Sequence, residues 1–106
     1  MPKYLFKANY GSEGAAGVLS QGGAARRDAI AKAAESVGGS LESFYFAFGG
    51  TDAYVVVDLP DNATAATLAL TVSSSGVVGV ETAVLLEPGD IRPGGTGSPD
   101  YRAPGA

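Results

Sequence analysis

The chain has 106 residues, a net charge of −4 and neither cysteine, histidine nor tryptophan. That length suits a single domain of roughly 100–150 residues, and the missing residue types exclude disulfides, thiol nucleophiles, imidazole bases and thiolate or imidazole metal sites. Forty-five per cent apolar against 17 per cent charged residues is a globular balance, and the seven Lys and Arg are too scattered for a nucleic-acid surface.

Lys3 to Tyr10 reads as a strand, with Tyr4, Leu5, Phe6 and Ala8 for bulk and Gly11 as its stop. Ser12 is the expected cap of a short helix, Glu13 to Ser20, and Gly22-Gly23 predicts a break or sharp bend. From Ala24 to Val37, Ile30, Ala33, Ala34 and Val37 form one apolar helical stripe, Asp28 and Lys32 stand at an i,i+4 pairing distance, and Gly38-Gly39 ends the helix. Two strands follow, Leu41 to Phe48 and Asp52 to Leu59, joined by Gly49-Gly50-Thr51 as a hairpin. Pro60 stops the second of them, and Asp61 caps a third helix that runs to about Ser74. After Ser75-Gly76 a last strand spans Val77 to Leu86. No apolar run approaches the ~20 residues of a membrane helix, so a soluble, cytoplasmic protein is expected.

Composition changes at Pro88. Four of the six prolines fall in the last nineteen residues, so residues 1–87 are expected to be the folded domain and 88–106 a mobile tail or an extended arm.

The strand residues carry an expectation about assembly. Phe44 to Phe48, Tyr54 to Val57 and Ala83 to Leu86 are unbroken apolar runs, where a sheet with one wet face would alternate. Right-handed crossovers put the helices on one side only. The second side then needs another copy of the chain, and a face-to-face homodimer or higher oligomer is expected.

The stretch from Phe46 to Asp61, FAFGGTDAYVVVDLPD, resembles the GYD domain family, named for a glycine, tyrosine and aspartate in this hairpin. Gly49 and Asp52 match. Thr51 stands where the family has its tyrosine, so no role of that phenol transfers. Tyr4-Leu5-Phe6, the segment Gly22 to Asp28, Glu81-Thr82 and Asp100-Tyr101-Arg102 extend the resemblance over nearly the whole chain. It implies an α+β, ferredoxin-like βαββαβ fold: a four-stranded antiparallel sheet with helices on one face, of the dimeric α/β-barrel type. Fold analogy reaches cofactor-independent oxygenases, isomerases and ligand-binding modules alike.

Lys7, Asn9, Tyr45 and Glu81 are the ligand-binding candidates, because polar groups in a doubly covered sheet are costly unless paired or used. If Phe6 packs under the helices, Lys7 and Asn9 point to the other side. Lys7 with Glu81 is either a pair lining a cleft or two solvated groups near strand ends. Gly49 and Asp52 stand between a functional reading and a structural one, in which glycine supplies a positive φ and aspartate binds turn amides. Tyr54 is expected in the core. Arg26 and Arg27, at a helix start after two glycines, are candidates either for an anion, though no P-loop or Rossmann pattern accompanies them, or for surface or interface salt bridges to acidic residues. The expected function is a homo-oligomeric module that binds a small molecule or partner between subunits, without metal or cofactor. The alternative is a cofactor-independent enzyme working through Lys7, Asn9, Tyr45 or Glu81.

Overall fold

The computed structural model describes residues 1–106. In chain order the elements are β1 (Lys3–Tyr10), α1 (Ser12–Gln21), α2 (Gly23–Ser36), β2 (Ser40–Phe46), β3 (Ala53–Asp58), α3 (Asn62–Ser73) and β4 (Val78–Leu85), followed by a short 3-10 turn at Pro88–Asp90. The strands form one antiparallel sheet in the order β2-β3-β1-β4.

Local chemistry explains most of the boundaries. Gly22 separates α1 from α2 at φ 87°, a conformation that only glycine adopts freely, and its amide closes α1 on the Val18 carbonyl at 2.7 Å. α2 ends in a Schellman arrangement: Gly38, at φ 84°, donates its amide to Glu35, and Gly39 donates to Ala34. Asp61 caps α3, its Oδ1 accepting from the Thr64 amide at 2.8 Å and the Thr64 hydroxyl at 2.7 Å. These bonds, the hydroxyl foremost, hold the Asp61 carboxyl below the usual carboxylate range. Two expectations fail. Ser12 lies inside α1, whose N-cap is Gly11 without any side-chain bond. Asp28 pairs with its neighbour Arg27 at 3.1 Å and not with Lys32.

The sheet has one covered face. Tyr4, Phe6 and Ala8 of β1, Ala53, Val55 and Val57 of β3 and Val78 of β4 are buried there, against Ala34 of α2 and Ala65 and Leu68 of α3. In the connection from α2 to β2, Gly39 passes so close to the end of β3 that any Cβ would overlap the Asp58 carbonyl oxygen and the Leu59 side chain. Tyr4 is fully buried, and its hydroxyl donates to Asn62 Oδ1 at 2.6 Å.

The register puts Lys3, Leu5, Lys7 and Asn9 on the opposite, open face with Tyr54, Val56 and Asp58 of β3 and Glu81, Ala83 and Leu85 of β4. This face is mixed, not apolar throughout as the runs suggest. A strand's period of two deals a continuous run to both sides. Phe44 and Phe46, opposite Val55 and Ala53, go to the helix side, their rings 4.9 Å apart, and only Tyr45 remains outside. Phe48 lies past the end of β2 and is fully exposed.

From Leu86 onward every residue is exposed. The radius of gyration, 16.9 Å, exceeds the roughly 13 Å of a compact chain this long, as an extended terminal segment requires.

Candidate functional site

Four side chains form a single row across the open face. Tyr45 of β2 lies opposite Tyr54 of β3, Tyr54 opposite Lys7 of β1, and Lys7 opposite Glu81 of β4. Lys7 Nζ and Glu81 Oε2 are 3.4 Å apart. The pair therefore forms in mid-strand, not at strand ends, and in the single chain it is open to solvent. Asn9 is two residues further along β1, opposite Gly79, which puts no side chain beside it. Tyr45, on the outer strand β2, and Tyr54, on the inner strand β3, are 70% and 41% exposed.

The other end of the face is an ion-pair cluster. Lys3 Nζ donates to Glu42 Oε1 at 2.7 Å and to Asp58 Oδ1 at 2.9 Å. The Glu42 bond first, and then the Asp58 bond, raise the ammonium above the ordinary lysine range. Glu42 sits where the β2–β3 register shifts between Leu41 and Ser43. Between cluster and row, Leu5, Val56 and Ala83 supply an apolar step. Two phenols, an ammonium and a carboxylate in line can donate and accept hydrogen bonds and offer flat surface to an aromatic or apolar body.

The two arginines are not brought together. Arg27 is exposed, bonded to Asp28, and borders the surface between α2 and β2. Arg26 is half-buried on the other side of α2, its guanidinium carbon 5.7 Å from the centre of the Tyr10 ring. They do not form a joint anion clamp, because successive helix residues point in different directions.

In the hairpin, Gly49 has φ 157° with open space where a Cβ would be. Asp52 Oδ2 accepts the Tyr10 amide at 2.9 Å, the Asp52 amide donates to the Ala8 carbonyl at 2.9 Å, and the Asp52 carbonyl accepts from Ala47 at 2.8 Å. Asp52 thus joins the ends of three strands. A model of the GYD domain matches residues 4–93. The chain belongs to the GYD domain family. No curated protein and no solved structure gives a significant match.

In this GYD domain the main chain of the motif aspartate bonds to β1 and to Ala47 just past β2, and one oxygen of its carboxylate accepts from β1. The match takes in the whole transverse row. Sequence reasoning missed Tyr54 as a member of that row, although the alternation of Ala53, Val55 and Val57 on the covered side was the signal that would have placed it outside. No helix of the domain is long and apolar enough to cross a membrane.

Proposed function

We propose that this GYD domain is a homo-oligomeric binding module of ferredoxin-like architecture. Two copies meet across their open sheet faces as a dimeric α/β barrel, and Lys7, Asn9, Tyr45 and Glu81 line the space in which a small molecule or partner group is held. The observation that carries this reading is the row Tyr45–Tyr54–Lys7–Glu81. It is self-complementary: about a two-fold axis that lies between the two sheets and runs along the strands between β1 and β4, the ammonium of one copy meets the carboxylate of the other, with the tyrosine rings to either side.

Burial supports the same reading. Only 11 of 106 residues are buried in the isolated chain, so a second copy would add a substantial part of the apolar burial.

The test is sedimentation of the full chain at micromolar concentration, beside Glu81→Lys and the double variant Lys7→Glu/Glu81→Lys. Wild type should sediment as a dimer or larger species. The single charge reversal should shift it toward monomer, and the double exchange should restore association. A wild-type monomer, or a Glu81→Lys protein that associates as wild type does, refutes the proposal.

A further inference from the structure

Arg26 forms no ion pair within the chain. Its Nε is buried with no hydrogen-bond acceptor. A guanidinium stays protonated in proteins, so the charge cannot be shed. The Tyr10 ring lies 5.7 Å away in a cation–π contact, and of the three guanidinium nitrogens only Nε is buried without a partner.

The same side chain stands between two hollows. The first lies on the covered side of the sheet, between α2 and α3, which pack on the strands and scarcely on one another. Eleven of its twelve lining residues are hydrophobic, among them Phe6, Ile30, Phe44, Leu68 and Val72, and Arg26 is the exception. Its volume is about 30 Å³. The second hollow, about 180 Å³, lies between α1, the start of α2 and the start of β4. Gly14, Gly17 and Gly22 put no side chains into it, and Tyr10, Arg26 and Val78 border both spaces.

We infer that Arg26 anchors a small apolar monocarboxylate. The carboxylate lies in the larger hollow and accepts from the guanidinium, and the hydrocarbon end enters the apolar cleft. The Glu13 carboxylate borders the same hollow, and Arg27, on the other side of α2, adds no second cation, so a single negative charge is tolerated better there than a phosphate dianion. The closed cleft is well below the ~150 Å³ cavity known to take up benzene, so the hydrocarbon end enters as α2 and α3 move apart. The site is independent of pairing through the open face, since it lies on the opposite side of the sheet.

The experiment uses hexanoate, hexanol and acetate with the full chain, read by the methyl NMR signals of Ile30, Leu68 and Val72. Hexanoate should shift these signals saturably. Hexanol should bind at least about tenfold more weakly, and acetate should leave the methyls unmoved. Arg26→Met, which removes a half-buried cation without an ion-pair partner and keeps an apolar stem, should bind hexanoate no better than hexanol. Equal affinities of wild type for hexanoate and hexanol overturn the inference without recourse to any variant. So does a folded Arg26→Met protein with undiminished hexanoate affinity, an absence of any shift, or shifts confined to Leu5 and Val56 on the open face.

Discussion

Replacing Asp52 separates the two readings of the family motif. The main-chain bonds of Asp52 to Ala8 and Ala47 survive any side chain, so a substitution tests only the bond from the Tyr10 amide to Oδ2, 2.9 Å long and part-buried. Asp52→Ala leaves that amide without its acceptor, a cost of about 1–3 kcal/mol. Asp52→Asn keeps an oxygen in the same place and loses the charge assistance, so it should cost roughly half as much. For a domain of this size each kcal/mol lowers the melting temperature by about 4–8 °C, a difference that thermal and urea unfolding followed by circular dichroism resolves easily. The order wild type, Asn, Ala is the expected result. An Asn variant as damaged as the Ala variant, or an Ala variant as stable as wild type, refutes the acceptor argument. A fully stable Asn variant that has lost a ligand would instead make the carboxylate functional.

Two further outcomes follow from close contacts and charge. Gly39→Ala should be severely destabilising, by more than about 3 kcal/mol, because the new methyl overlaps a backbone oxygen that cannot move; Gly23→Ala, whose Cβ meets the end of the Phe46 ring at 2.8 Å, should cost far less because that ring can swing away. Equal melting temperatures for the two variants would contradict this. For Asp61 the lowered pKa sets the sign: its contribution is fully present above the unfolded-state value of about 3.9 and is lost as pH falls through the lower folded-state value. Acid unfolding of Asp61→Asn should therefore be less steep than that of wild type below pH ~4, and superimposable curves would remove the cap from the account.

The elements with strong local chemistry were legible in the sequence. β1 has the bounds read from Tyr4, Phe6 and Gly11, α2 stops at the paired glycines, and Asp61 caps the helix it was expected to cap. The Lys7–Glu81 pairing was also within reach, because both polar residues interrupt apolar strands. What could not be read was the side to which each residue of an apolar run belongs. Phe44 and Phe46 differ from Tyr45 only in position, and the shift at Leu41/Ser43 sets the β2 register. The isolation of Arg26 was out of reach for a different reason. It depends on how α2 is set against β1 and α1, where Arg26 meets the Tyr10 ring, and an adjacent arginine in sequence suggested a shared role that helix geometry forbids.

The shift at Leu41/Ser43 also matters beyond this chain. β2 is an outer strand, and its interrupted spacing, with a carboxylate at Glu42, spoils it as a template for another chain's main-chain bonds. β4, the outer strand on the opposite margin, runs unbroken from Val78 to Leu85. Growth of a continuous ribbon needs two usable margins per molecule, and this one has a single good margin. By strand pairing alone, addition would therefore stop after one β4-to-β4 union.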